Sequence, residues 1–380
     1  MENENIIVCK FGGSSVASRL GIKNIREIVA NNPQRRIIVV SAPGKCKIHS
    51  EKVTDLLIKA HLEPKNFDFY LNQVKIKYLK LIRDCGITFN LDKQIKKIIR
   101  HYKIFKSRSY LLSRGEWLSA KIISIYLGIK FVDASKVIKF SHNGKILPIT
   151  YSNIRKYLKK FGKIIIPGFY GASIFGKIKV MSRGGADITG SICQKAIKNS
   201  IYENFTDVNG IYTNKSNVGN EKQKINKISF NNIRFLSFFG SSVLHYKCTS
   251  ISNGKVIIKN TFSPNASGSE VLDFGNSITA SAEKRGLELE FDNFSPKIKS
   301  LLKNLKAEKL YFISVLGGCK IGICVFSGYT DMKILNKLQK YAKLVKNINI
   351  YAEINDKNAQ NYSIIALDKQ KFIKISYTGT

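Results

Sequence analysis

The chain has 380 residues, 44% of them hydrophobic, which is too long for one ordinary core and too apolar for a disordered chain. A large and a small domain are expected, and no run of about 20 apolar residues is present to suggest a membrane span. Its 63 Lys and Arg against 26 Asp and Glu give a net charge of +37, but these cations are spread along the whole length without an aromatic-interleaved stripe; drift of solvated faces toward Lys, Ile and Asn explains them more simply than a nucleic-acid surface.

In chain order, residues 6–11 form a short apolar strand ending at Gly12-Gly13, and residues 16–30 follow with helical periodicity. Residues 36–42 are a second β-branched strand, stopped by Pro43-Gly44. A helix begins at 53–60, a lysine-rich helical stretch covers 66–108 with a break at Cys85-Gly86, and a helix over 114–127 closes at Gly128. Strands are expected at 130–133, 163–169, 178–182 and 201–208, with a helix at 189–198 between the last two. This alternation predicts a mostly parallel α/β sheet, on which ligands sit at the carboxyl ends of strands.

The texture changes after about residue 275. Strands at 287–291, 309–315, 320–326, 347–353, 362–367 and 371–377, with helices at 296–305 and 331–345, give the β-α-β-β-α-β order of a ferredoxin-like module with extra strand. The expected division is 1–275 and 276–380.

Four clusters carry chemistry. Lys10-Phe11-Gly12-Gly13-Ser14-Ser15 places a lysine at a strand end, then two glycines, then a helix start. Glycines allow close phosphate approach and a helix head offers N–H groups; a tight turn with a solvated lysine fits the segment equally well. Ser182-Arg183-Gly184-Gly185-Ala186-Asp187 repeats that logic, with Arg183 as a carboxylate clamp and Asp187 either at the chemistry or capping the helix. Ser113-Arg114-Gly115-Glu116 by itself reads as a capping box, Ser113 at the N-cap and Glu116 three residues on. Thr206-Asp207-Val208-Asn209-Gly210-Ile211-Tyr212 by itself reads as a surface turn with a buried tyrosine. The chain has no G-x-x-x-x-G-K-[ST] loop. Cys46/His49 and His245/Cys248 lack a second pair at zinc spacing, so no metal site is expected. The seven cysteines include no Cys-x-x-Cys and the polar start Met1-Glu2-Asn3-Glu4-Asn5 is unlike a signal peptide, so reduced thiols in a cytoplasm are expected. His245 reads as a structural donor and 93–106 as a solvated helix face.

Taken together and in order, these segments resemble the aspartate kinase family. The opening Lys-Phe-Gly-Gly-Thr-Ser is Lys10 to Ser15 with Ser14 for Thr. Ser41-Ala42 and Val53-Thr54-Asp55-Leu56-Leu57 follow, then Ser113 to Glu116, Ser182 to Asp187, and an intact Thr206 to Thr213. Phe239-Gly240 to Leu244-His245 and Asn260-Thr261-Phe262 with Pro264 and Gly268 complete the set, over about residues 6–272. The resemblance implies the amino-acid-kinase fold, a three-layer α-β-α sandwich with a mostly parallel sheet, and a C-terminal pair of ACT modules, reduced here, in about 105 residues, to one ferredoxin-like ACT-type module plus a remnant. It implies ATP-dependent phosphorylation of the aspartate side chain, a first step toward lysine, threonine and methionine, with Mg²⁺ on the nucleotide. Lys10 and Asp187 would be catalytic; Ser41, Thr54, Glu116 and Arg183 would bind aspartate. Lys10, Gly12, Gly13, Gly185, Thr206, Asp207 and Tyr212 would bind ATP. A homodimer with no nucleic-acid or membrane partner is expected. Ala186 stands where the family has serine, Ser242 where it has lysine, Tyr246 where it has proline, and Lys215-Ser216-Asn217 where it has Asp-Pro-Arg. These departures motivate the alternative of a catalytically weakened regulatory paralogue; another carboxylate or phosphate kinase of the same fold is a further one.

Overall fold

The computed structural model describes residues 5–45, 51–182, 184–212, 224–230, 232–233, 237, 243–252, 254–272, 279–291, 295–296, 311–316, 319–325, 340–341, 344–355, 362–367 and 371–376, the strands beyond 279 as backbone. The chain divides into two compact units, Met1–Tyr212 with Lys224–Ser237 and Ser242–Asn276, and Thr213–Gln223 with Phe238–Ser241 and Ser277–Thr380.

The first unit opens with β1 (Ile7–Phe11), α1 (Arg19–Ala30), β2 (Arg35–Val40) and α2 (Val53–Leu62). The helical stretch that follows is α3 (Phe67–Asp84), α4 (Leu91–Phe105) and α5 (Arg108–Leu127), broken where Cys85-Gly86 predicts. Then come β3 (Lys130–Phe131), α6 (Ala134–Val137), β4 (Lys139–Phe140), α7 (Ile149–Phe161), β5 (Ile164–Pro167), β6 (Tyr170–Ser173), β7 (Ile178–Val180) and α8 (Gly185–Ala196). The unit closes with β8 (Ile201–Thr206), β9 (Ile211–Tyr212), β10 (Lys224–Ile225), β11 (Lys227–Ser229), β12 (Val256–Asn260) and β13 (Ser269–Leu272).

An eight-stranded sheet runs β11-β13-β12-β8-β1-β2-β5-β3, parallel throughout except between β12 and β13. Period-two alternation sorts β1 onto two faces. Ile7, Cys9 and Phe11 join Ile25 and Ile28 of α1 and Ala120 and Ile123 of α5 in one core. Val8 and Lys10 therefore point to the opposite face, where α8 packs on β1, β2 and β8. Helix–sheet–helix layering of a mostly parallel sheet is the expected fold. A second core, with Leu57, Tyr78, Ile95 and Leu118, joins α2 through α5.

Two readings need correction here. The helix carrying Glu116 starts at Arg108, with Ser107 as N-cap accepting from Tyr110 N. Ser113 is thus inside the helix, its hydroxyl donating to Tyr110 O at 2.7 Å, and no capping box forms. Residues 163–169 are not one strand: β5 ends at Pro167, and a separate antiparallel hairpin, β6–β7, follows.

The second unit is a six-stranded antiparallel sheet of β14 (Thr279–Phe291), β15 (Tyr311–Leu316), β16 (Cys319–Val325), β17 (Leu344–Asn355), β18 (Tyr362–Leu367) and β19 (Lys371–Ser376). The strand order is β15-β16-β14-β17-β18-β19. All six predicted strands are present, the first beginning eight residues earlier than its apolar run suggests. The expected helix at 296–305 lies outside the described residues apart from Pro296; that at 331–345 is described only at Lys340 and Tyr341, a turn, and at residues 344–345, which belong to β17.

Candidate active site

Register puts the ends of β1, β2 and β8 side by side: Phe11 pairs with Val40 on one flank and Phe205 on the other. The residues that follow are stitched together. Gly12 N donates to Phe205 O at 3.1 Å, Ser41 N to Phe11 O at 3.1 Å, Gly168 N to Val40 O at 2.9 Å and Thr261 N to Thr206 O at 2.8 Å. Gly12, Ser41, Gly168 and Thr206 thus share one edge, the carboxyl edge on which α/β sheets bind ligands.

Lys10 is buried one residue before the end of β1, facing α8. Its Nζ lies 2.5 Å from Asp187 Oδ1 and 3.1 Å from Asn204 Oδ1. A solvated lysine is excluded. Asp187 sits in the first turn of α8 and does not cap it: the N-cap is Gly184, with φ +77°, and no side chain caps that end. Only glycine takes that φ without strain, and His245 leaves no room for more: a Cβ on Gly184 would fall 2.4 Å from its ring. The first N–H groups of α8 therefore face the same side as the Lys10–Asp187 pair without a side-chain acceptor among the described residues. Gly185 is at this head. Gly12 does not offer its N–H, which is already bound to Phe205; Gly13 accepts from Gly44 N at 2.9 Å, holding the first glycine turn against the β2–α2 loop.

Glu116 lies mid-helix, not at a helix start. Gly115 lets α5 press on the end of β2, since a Cβ there would stand 2.9 Å from Ala42 Cβ and 3.2 Å from Val53 Cγ1. Tyr78 braces the contact by donating to Gly115 O at 2.6 Å. Glu116 is 5% exposed, and its Oε2 has no partner among the described residues. Burial pushes its carboxyl up to about 8, against backbone hydrogen bonds at Glu116 and Ala42 and the nearby Arg114 cation, which pull it down. A buried carboxyl with an open oxygen is a receptor for a cation that brings its own charge.

Ser41 follows β2 and Thr54 lies in the first turn of α2, both partly exposed. Thr206 ends β8, with its hydroxyl 3.0 Å from Asp207 Oδ1. Asp207 is exposed and Tyr212 is 37% exposed, so the tyrosine expected to be buried opens to solvent. Arg183, Ser242 and Lys215-Ser216-Asn217 lie outside the described residues. Ala186 is buried, packed where Gly168 leaves space. Two further residues at the site escaped the sequence reading. Asn204 is the amide on Lys10, and Phe169 takes φ +75° between β5 and β6. A polar residue inside an apolar strand is the signal that marks Asn204; Phe169 gives none. The cysteines at 9, 85, 193 and 248 are free thiols, and the described residues contain neither a cluster of three or more metal-binding side chains nor a helix long and apolar enough to cross a membrane.

A sequence profile of the Amino acid kinase family matches residues 5–260. The chain is 34% identical over 287 residues to aspartokinase 3 of Bacillus subtilis, covering 70% of this chain and 63% of that protein. It is 24% identical over 301 residues to the aspartokinase of Chlamydia pneumoniae, covering 74% and 66%. It thus spans somewhat less than two thirds of the length of these curated relatives. Among solved structures, the aspartate kinase of Clostridium acetobutylicum aligns with TM-score 0.70 at 28% identity, over 92% of this chain and 86% of that one. Aspartokinase III of Escherichia coli, solved with aspartate and ADP, aligns with TM-score 0.76 at 21% identity, over 92% and 87%, and speaks for the fold.

Proposed function

The chain belongs to the amino acid kinase family, and we propose that it is an aspartate kinase, forming 4-phospho-aspartate from ATP and aspartate. One observation carries this reading: a buried carboxyl with an unpartnered oxygen, Glu116, shares a sheet edge with a buried lysine at a glycine turn, Lys10. An α-amino acid needs the first and a polyphosphate the second.

In the reaction a β-carboxylate oxygen of aspartate attacks Pγ in line, the Pγ–O bond to the β-phosphate breaks, and ADP leaves. A carboxylate is already a nucleophile near neutral pH, so positioning and charge neutralisation carry the rate. Lys10 turns from Asp187 toward the transferring phosphoryl oxygens, where a preorganised cation stabilises developing charge. Asp187 holds that amine in place beforehand. The open N–H groups at the head of α8, Gly185 first, take phosphate oxygens, and Gly13 shapes the facing turn. Gly12 shapes the same turn, its N–H being committed to Phe205. Glu116 takes the α-ammonium, Arg183 the α-carboxylate, and Ser41 and Thr54 add polar contacts. Thr206, Asp207 and Tyr212 hold the nucleoside at the exposed end of β8. Mg²⁺ suits this donor set as a passenger of the nucleotide: it is content with one carboxylate, here Asp187, plus phosphates and water, and when bound it offsets phosphate charge.

Residues 276–380 make an ACT-like module that joins two copies into a homodimer. Its first strand lies between its third and fourth, the order of the ferredoxin-like plan, with the β18–β19 hairpin extending one edge. Sedimentation of the full chain tests this, and a monomer refutes it. A cytoplasmic setting accords with the free thiols. The catalytic reading is tested by trapping the acyl phosphate with hydroxylamine, with aspartate, glutamate and N-acetylglutamate as competing acceptors. Product from aspartate alone is expected. Product only from another acceptor refutes the substrate, and no product from any of them favours the regulatory paralogue.

A further inference from the structure

Asn204 is buried in the middle of β8 with no exposed surface. Strand residues are placed there by apolar burial, and an amide in such a position costs free energy unless both of its ends are satisfied. Here both are. The register makes Asn204 the direct cross-strand partner of Lys10, so the two side chains leave the sheet on the same face. Oδ1 accepts from Lys10 Nζ at 3.1 Å, and Nδ2 donates to Val243 O at 3.2 Å.

That second bond decides what the first can do. An amide has two faces of opposite polarity, and turning it over would set an N–H₂ against the Lys10 ammonium. The carbonyl of Val243 accepts only a donor, so it locks the amide with its oxygen toward the lysine. The ammonium is then gripped from two sides by unlike groups: Asp187 by charge and Asn204 by a dipole. A second carboxylate in place of Asn204 would overneutralise the lysine and repel phosphate. An apolar side chain would leave the amine free to turn about the single contact with Asp187. The amide fixes direction and leaves the charge for the substrate. Val243 also lies two residues before His245, whose ring packs against Gly184 at the head of α8. The same short segment therefore abuts the helix head and orients the lysine.

We infer that Asn204 is a positioning residue for Lys10, held in its working orientation by the Val243 carbonyl; its effect on turnover rests on the kinase reading given above. The test uses the full chain carrying Asn204→Leu, of similar volume and without an acceptor, and Asn204→Asp, which keeps an oxygen at that place. Three measurements are made: steady-state turnover with aspartate and ATP, thermal unfolding, and the rate at which an amine-reactive reagent labels Lys10, read by peptide mass spectrometry.

For Asn204→Leu, kcat is expected to fall about 10- to 100-fold, the loss of one hydrogen bond to a charged group, while the aspartate KM stays within about two-fold because Glu116 is not disturbed. Lys10 labelling is expected to accelerate several-fold in Asn204→Leu and to remain slow in Asn204→Asp. A lower melting temperature with unchanged kcat and unchanged labelling would make Asn204 a packing residue and overturn the inference. If the wild-type chain does not turn over aspartate at all, the substrate reading falls, and the labelling comparison alone decides for or against Asn204.

Discussion

Glu116→Gln separates the stability of the fold from its capacity to take substrate. In the folded chain the Glu116 carboxyl is pushed up to about 8, from an ordinary 4.5. A carboxyl raised in this way favours folding only where both states hold the proton. As pH rises through 4.5 the unfolded chain releases it and the folded chain does not, so stability drains away until the folded group ionises near 8. The gap of about 3.5 pH units is worth about 5 kcal/mol in full, and about 3 kcal/mol at pH 7, at 1.36 kcal/mol per unit. Glutamine has the same shape and no proton to lose. Without substrate, Glu116→Gln is therefore expected to be more stable than wild type at pH 7 by up to about 3 kcal/mol, with the difference shrinking below about 1 kcal/mol at pH 5. Urea unfolding at the two pH values measures it. The same variant is expected to bind aspartate far more weakly, because a charge-assisted bond worth about 1.5–3 kcal/mol is lost. There is also a calorimetric signature. A substrate ammonium ionises Glu116, so aspartate binding at pH 7 should release about 0.9 proton per site into the buffer, and none in the variant. Unfolding curves whose separation does not change with pH, or aspartate binding without proton release, would refute the reasoning.

Lys10→Ala is expected to lower kcat by about two to three orders of magnitude and to cost stability, since it strands Asp187 in the interior; adding Asp187→Asn should recover the melting temperature and not the turnover. Gly115→Ala puts a methyl 2.9 Å from Ala42 Cβ. Overpacking of this kind costs about 1–3 kcal/mol, and by shifting α5 it should raise the aspartate KM more than the ATP KM; equal changes in both would show that α5 does not serve aspartate alone. Glu203→Gln removes the counter-charge of Arg35, whose Nε and Nη2 bind the carboxylate at 2.7 and 3.1 Å. Breaking a buried pair typically costs about 3–5 kcal/mol, so melting should fall steeply while kcat, measured below the transition, holds.

The strands that position the site were legible because they are β-branched, apolar and bounded by glycine or proline. The predicted 6–11 and 201–208 runs contain β1 and β8, and the predicted 36–42 run starts one residue after β2 does and ends two beyond it. Arg35 and Glu203 lie in the same sheet yet pair across it, a fact periodicity cannot supply. The Glu116 helix failed at its start for a definite reason. Ser113 and Gly115 are poor helix interior residues, so local propensity places a cap there; the bond from Tyr78 to Gly115 O and the fit against Ala42 override it. That misplacement also leaves Glu116, read by itself, as a capping carboxylate, whereas it is buried mid-helix. Helix α7 was missed although the helical spacing Ile154–Leu158 is buried, because seven basic and aromatic residues in the helix dilute the apolar stripe. Asn204 was legible in principle. Two consecutive polar residues, Glu203-Asn204, inside an otherwise apolar strand require partners, but the sequence does not say that those partners are Arg35 and Lys10.

The charges of the site fit together in one way. Lys10 and Asp187 cancel each other, and Glu116 at neutral pH holds its proton, so these three groups carry no net charge before substrate arrives, with the buried Arg114 cation beside Glu116. Among the described residues only Lys10, Arg35, Lys77 and Arg114 are buried cations, few against the +37 of the whole chain. In the proposed aspartate kinase reaction each substrate breaks one of these arrangements: the α-ammonium of aspartate ionises Glu116, and the phosphates of ATP compete with Asp187 for Lys10. On this reading neither Glu116 nor Lys10 is an exposed charge awaiting its ligand, and each ligand must supply the counter-charge that desolvation withheld. Binding the wrong ligand, a dicarboxylate without an ammonium or a nucleoside without phosphates, leaves Glu116 protonated or Lys10 on Asp187, and the constellation needed for transfer does not form. On that proposal, selectivity for an α-amino acid acceptor resides in the burial of Glu116 as much as in its identity. Succinate, which has both carboxylates of aspartate and no ammonium, is accordingly expected to bind without releasing a proton and to accept no phosphate. Phosphoryl transfer to succinate at a rate near that to aspartate would mean that Glu116 plays no part in choosing the acceptor.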